Sequence, residues 1–157
     1  VYNHPERECT CPPGTVQKYL NKISGPLLDR IDLHVEVTPV AFSELSSIKA
    51  QEHSSTIRDR VIKAREMQAE RYKSNPGIYC NAQISSKMLK EICVINTVGA
   101  NLLKAAMEKL NLSARAYDRI LKVSRTIADL SQSEEIKPEH LAEAIQYRSL
   151  DREGWAG

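Results

Sequence analysis

The sequence has one Trp and one Phe, and no apolar run approaching the ~20 residues that a membrane span requires. It also contains no secretory h-region. These absences predict a cytoplasmic chain that does not enter a membrane. With so few large rings, a core must be assembled from Leu, Ile, Val, Ala and Tyr, an aliphatic and helix-leaning set; 41% hydrophobic content is enough for one. A strong excess of one charge is missing too: the formal net charge is +2, so charge alone gives no argument for nucleic acid. There is no G-x-x-x-x-G-K-[ST] to cradle phosphates and no hydrophobic run ending in paired acids for Mg²⁺. G-x-S-x-G and H-E-x-x-H are absent as well. His4, His34, His53 and His140 have no nucleophile or acidic partner at motif spacing and read as surface or structural residues. As it stands, the chain lacks the machinery for phosphoryl transfer.

What the sequence does contain is organised around Leu112 to Leu130, LSARAYDRILKVSRTIADL. At 100° per residue, Ala116, Tyr117, Ile120, Leu121, Val123, Ser124, Ile127, Ala128 and Leu130 fall on one half of a helical cylinder. Arg115, Asp118, Arg119, Lys122, Arg125, Thr126 and Asp129 fall on the other. So wide an apolar arc predicts a helix central to a bundle and covered by several neighbours. Ser113 stands where an N-cap belongs, which places Arg115 in the first turn. A cation there opposes the helix dipole at a cost of a few tenths to roughly 1 kcal/mol. Either Arg115 pairs with Asp118 or solvates the helix end, or an anion arriving from outside supplies the reason for it.

Residues 1–14, VYNHPERECTCPPG, are aperiodic and read as loop. Val1 is not an initiator Met, so the chain is expected to be a piece of a larger protein. Cys9-x-Cys11 near His4 is one ligand short of a closed zinc site, and no metal is expected on this chain. Cys80 and Cys93 stand alone and read as idle thiols. TVQKYLNKI (15–23) has helical spacing, and Ser24-Gly25-Pro26 breaks it before a short new turn at Leu27-Leu28. Ile31, Leu33, Val35 and Val37 then alternate with Asp32, His34 and Glu36 until Pro39, which predicts a single strand with one apolar face. Such a strand cannot satisfy its own backbone, so its sheet is expected elsewhere.

Residues 40–53 read as a polar connector with one helical turn at FSEL. Ser54-Ser55 caps a long helix running to about Lys73, before Asn75-Pro76-Gly77. Its excess of Arg and Lys is either a solvated face or a basic ridge for a neighbouring subunit or nucleic-acid phosphates. Further helices are predicted from Ser85-Ser86, over Val98 to Leu110, and from Pro138 through EHLAEAIQYRSL, with a tail from Asp151.

Two of these stretches carry a resemblance. LSARAYDRILKVSRTIADL, with EHLAEAIQYRSLDR after it, resembles the C-terminal lid of Mg-chelatase-like AAA+ ATPases, in particular their competence-associated members. SGPLLDRIDLHVEV resembles the last helix-to-strand passage of the same family's ATPase core. The resemblance implies a mainly α chain. Residues 1–40 would be a remnant of a truncated α/β core, with a short helix and a single strand. Residues 41–53 would be a connector, 54–152 the helical lid and 153–157 a tail. It implies that Arg115, in the S-x-R motif, is the sensor-2 residue reading the nucleotide's terminal phosphate in its own subunit. It implies that Arg30 is the arginine finger acting in trans. A guanidinium suits either task because its fixed fork of donors matches phosphate oxygens and is always charged. ATP and Mg²⁺ would belong to the full-length ATPase and not to this chain. Partners would be its own core, the neighbouring subunits of a ring expected to be a hexamer, and DNA that the motor remodels. The chain alone is expected to be monomeric.

Two other readings come from the residues themselves. LLKAAMEKLNLSARAYDRILKV has two helices and a short turn, as a helix-turn-helix DNA-binding module would. Against this, the second helix is apolar over half its surface and the turn lacks glycine. The other alternative is a purely structural oligomerisation module.

Overall fold

A computed structural model of the chain describes residues 8–12, 14–37, 40 and 52–148. The FSEL turn, His4, Leu150 and the tail lie outside the described residues.

Two short helices come first. Gly14, at φ 81°, adopts the left-handed conformation from which α1 (Thr15–Leu20) starts. α1 stops before the expected Ile23, because Lys22 and Ile23 bond three residues back in a tightening turn. α2 (Gly25–Leu28) opens with Pro26 in its first turn, where the missing N–H costs nothing. Leu20 and Leu28 are the buried residues of these helices.

The bundle follows: α3 (Ser54–Tyr72), a 3₁₀ turn at Asn81–Gln83, α4 (Ser86–Ile92), α5 (Thr97–Lys109), α6 (Ala114–Leu130) and α7 (Pro138–Gln146). Their starts follow cap chemistry. Side-chain oxygens of Ser85, Asn96 and Ser113 accept the N–H of Met88, Gly99 and Ala116, satisfying donors that a helix start leaves orphaned. Asn111, at φ 48°, makes the left-handed turn between α5 and α6, a conformation asparagine tolerates better than most residues.

α6 is central, as its wide apolar arc predicts. It packs on α7, α3, α4 and the 3₁₀ turn, while α5 packs on α7. Ile120, Leu121, Ile127 and Ala128 enter a core shared with Tyr72, Ile84, Leu89, Leu103, Leu141 and Ala144, and among the described residues no member of that core precedes Tyr72. The helix-turn-helix alternative fares poorly here. Its second helix packs against four other elements, and beyond its exposed first turn most of its length is buried or half-buried.

The single strand expected over Ile31–Val37 is not formed, and among the described residues the β-type pairing is one isolated parallel bridge, Ile95 with Ile136. Ile31, Leu33, Val35 and Val37 are all exposed, Val37 by 87%. The buried member of the run is His34, on the opposite alternation. The physical reason is the one that makes the strand an orphan: with no second strand among the described residues, nothing there offers a ladder. His34 N–H instead donates to the carbonyl of Tyr147, 2.7 Å away at the end of α7.

Candidate functional site

Arg115 does sit in the first turn of α6, beyond its Ser113 cap, and is 55% exposed. It pairs neither with Asp118 nor with solvent alone. Asp118 accepts instead from the Ser86 hydroxyl, and the Arg115 guanidinium turns to Asp29, with Nη1 3.4 Å from Oδ2. The other oxygen of Asp29 accepts from the Ser113 hydroxyl at 2.7 Å and lies 3.8 Å from Nη2 of Arg148. One carboxylate therefore gathers the cap of α6, the first-turn arginine and an arginine from beyond α7. Asp29 immediately precedes Arg30 in the chain, so the residue that Arg115 pairs with is Arg30's neighbour. Arg30 is exposed and donates back to the Pro26 carbonyl at 3.3 Å. Arg119, one helical turn beyond Arg115, is ion-paired with Asp32, and Arg148 Nη1 donates to the carbonyl of Ile31. The DRID turn (29–32) is thus held by three arginines of the bundle.

A second arginine–carboxylate cluster has its carboxylate buried, with only Arg71 reaching partly into solvent. Asp129 accepts from Arg71 (2.8 and 2.5 Å), Arg125 (3.1 Å), Asn81 (2.8 Å) and Gln68 (3.2 Å), and is 0% exposed. Tyr72 donates to Asn81 Oδ1 at 2.7 Å, and Arg125 also donates to the carbonyls of Ser133 and Glu134. Burial on its own would raise the Asp129 carboxyl. The bonds from Arg71 and Asn81 and the charges of Arg71 and Arg125 outweigh it and bring the group below its ordinary value. Arg125 and Asp129 fall on the polar half of the wheel. They are buried because α3 and the 3₁₀ turn cover that side and bring matched polar groups to it. The signal available in the sequence was their i,i+4 spacing on a helix already apolar over a wide arc. Nothing local pointed to Arg71, Asn81 or Arg148.

Elsewhere the geometry is bland. Arg71 turns inward, Arg60 pairs with Glu52 at 2.8 Å, and Lys73 bonds Glu70, which favours a solvated, paired face on α3 over a basic ridge. Cys9 and Cys11 are exposed; the Cys11 backbone, and then its side chain, lower the Cys9 thiol, while the Cys9 side chain raises that of Cys11, and no group of three metal-ligating side chains occurs among the described residues. Burial pushes the Cys93 thiol up to about 11, far from a reactive thiolate. No helix among the described residues is long and apolar enough to cross a membrane.

The corner falls where two family matches adjoin. The family described as "Magnesium chelatase, subunit ChlI C-terminal" matches residues 51–148, and "Magnesium chelatase, subunit ChlI" matches residues 1–45. The chain belongs to the magnesium chelatase family. Among its relatives, the competence protein ComM of Haemophilus influenzae is 44% identical over 141 residues, 89% of this chain and 27% of that protein. YifB of Escherichia coli is 40% identical over 143 residues, 90% of this chain and 27% of that protein. The chain therefore spans about a quarter of the length of the curated relatives it matches. Within the family match, Asp29, Arg30 and Asp32 belong to the first segment, and Arg115, Arg119 and Arg148 to the second.

Proposed function

We propose that the chain works as the helical lid, with the adjoining edge of the core, of a longer cytoplasmic AAA+ ATPase that assembles as a hexameric ring and remodels DNA. In this reading Arg30 is the arginine finger and Arg115 the sensor-2 residue. The observation that carries it is the Asp29 corner. A first-turn arginine, set against the helix dipole, reaches a carboxylate and remains half open to solvent, so a phosphate presented there would find an anion receptor already in place. The donor set suits the terminal phosphate of ATP. The phosphate loop and the Mg²⁺ ligands would come from core residues outside this chain, and the bound Mg²⁺ would neutralise charge developing on the transferred phosphoryl group. The DNA part of the reading rests on the Haemophilus relative's being a competence protein.

The corner also bears on which nucleotide each arginine serves. In this reading Arg115 serves its own subunit's nucleotide and Arg30 the neighbour's, and because Arg115 pairs with Asp29, the residue beside Arg30, the two sites would be coupled through that carboxylate. In the longer ATPase, Arg30→Ala or Arg115→Ala should each slow hydrolysis by about 10-fold or more, equivalent to at least ~1.4 kcal/mol of transition-state stabilisation. Each variant is then mixed with subunits whose phosphate-loop lysine is replaced. Rescue of Arg30→Ala alone is the expected result; rescue of both variants means both arginines act across the boundary. Unimpaired hydrolysis in both variants overturns the reading and leaves a structural oligomerisation module.

A further inference from the structure

The turn that carries Arg30 is poorly equipped to hold itself. α2 has four residues, far below the roughly 12–15 at which an isolated helix becomes even marginal in water. Among the described residues the Arg30 side chain bonds within that turn, to Pro26, and the chain beyond leaves Val35 and Val37 in solvent. Backbone N–H groups of Asp29, Arg30 and Ile31 donate to Gly25, Leu27 and Leu28 and close the turn itself, but what ties residues 29–34 to the bundle arrives from far along the sequence. Arg119 pairs with Asp32, Arg148 donates to Ile31, the Ser113 hydroxyl donates to Asp29, and His34 N–H reaches Tyr147. The Ser113 and Arg148 bonds close separations of 84 and 117 residues. Arg148 is 1% exposed although it lies beyond the last helix.

We propose that Arg119 and Arg148 are positioning residues that clamp the 29–32 turn to the bundle, so that Arg30 is aimed by α6 and the end of α7 and moves with them as one body. The proposal rests on the reading of Arg30 as a finger. Arg148 suits the task because two nitrogens of its guanidinium fork face the Ile31 carbonyl and the Asp29 carboxylate, a fixed spacing that a compact lysine ammonium does not present. Arg119 adds a second attachment one residue further along, which opposes rotation of the turn about the first.

Amide hydrogen exchange on this chain tests the clamp. In Arg148→Lys and in Arg119→Ala, protection of the Ile31 and His34 amides should fall by about 10-fold or more, while α6 amides and the melting temperature stay at their parent values. The charge swap Asp32→Arg with Arg119→Asp should restore protection. Unchanged protection at Ile31 and His34, or loss that spreads to α6, overturns the proposal. In the longer ATPase, Arg148→Lys should lower kcat with KM unchanged. A full-rate Arg148→Lys enzyme whose Arg30→Ala counterpart is slow also overturns it. Full activity in Arg30→Ala instead overturns the finger reading, and the exchange result alone then decides the clamp.

Discussion

Asp129 and Asp29 are each gathered by arginines, yet they sit in opposite environments. Asp129 is sealed, with donors from α3, the 3₁₀ turn and α6 satisfying both oxygens. Asp29 lies at the rim, its side chain 24% exposed, and its principal partner Arg115 is more than half exposed. Inside the bundle, an ion pair must be complete, because an unmatched charge in a low-dielectric interior is very costly. At the rim water screens both partners, and the same pair contributes little to stability. The first arrangement therefore fixes structure. The second holds a cation in place with a partner that another anion can replace.

The largest effect should come from breaking the sealed cluster. Asp129→Ala leaves Arg71 and Arg125 facing one another without their anion and should cost about 3–5 kcal/mol in urea unfolding. A loss below about 1 kcal/mol would mean that water reaches the site and that the contrast between the two clusters is only one of degree. This cluster was also the part of the fold least legible in the sequence. Helical periodicity located α3 to α7 and placed α6 at the centre, because apolar spacing on a helix is local information. It leaves Arg125 and Asp129 on the polar half of that helix, because whether a polar flank is covered depends on what a distant element brings to it. Asn81 and Gln68 do that here, 48 and 61 residues from Asp129. The Ile31–Val37 alternation misled for the complementary reason: it reports a face suited to a sheet, and the partner strand is not among the described residues. In the candidate site, Ser113 and Arg115 were legible from cap chemistry, and the weight given to Arg30 came from the family resemblance. Asp29 as their shared partner was not legible, since nothing local ties residue 29 to residue 115.

A second test separates the two clusters by pH. His140, at the start of α7, is buried and accepts the Lys137 N–H on Nδ1 at 3.1 Å, an arrangement that suits the neutral ring. Burial lowers its pKa from the ordinary 6.5, and the Lys137 and Arg125 charges add to that. The unfolded chain then binds the proton more readily, so stability is full above about pH 6.5 and declines as the pH falls below it. Asp129 is also depressed, but its contribution is retained until the pH falls below the ordinary carboxylate range near 4. Between pH 7 and 5 the parent should lose stability through His140 while the Asp129 cluster stays intact. His140→Asn, which keeps an acceptor for Lys137, should flatten that slope in urea unfolding at the two pH values. A slope unchanged in His140→Asn would assign the loss to another group.

The smallest effect, and the one that most sharpens the contrast, is expected from Arg115→Ala on the stability of the chain itself. The pair with Asp29 is long at 3.4 Å and open to solvent, and pairs of that kind contribute about 0–1 kcal/mol. Removing a first-turn cation also relieves its conflict with the helix dipole, a term of similar size and opposite sign. The two should nearly cancel, leaving the urea midpoint within about 0.5 kcal/mol of the parent, as for an ordinary surface substitution. Lowering the salt concentration should reveal any residual attraction, since a Debye length near 10 Å at 0.1 M screens an exposed pair and scarcely touches a sealed one. An arginine that adds nothing to stability at a costly helix position, and whose loss slows hydrolysis in the longer ATPase, is held there for a ligand. If Arg115→Ala instead unfolds the chain as severely as Asp129→Ala, the rim cluster is structural and the receptor reading of the Asp29 corner fails.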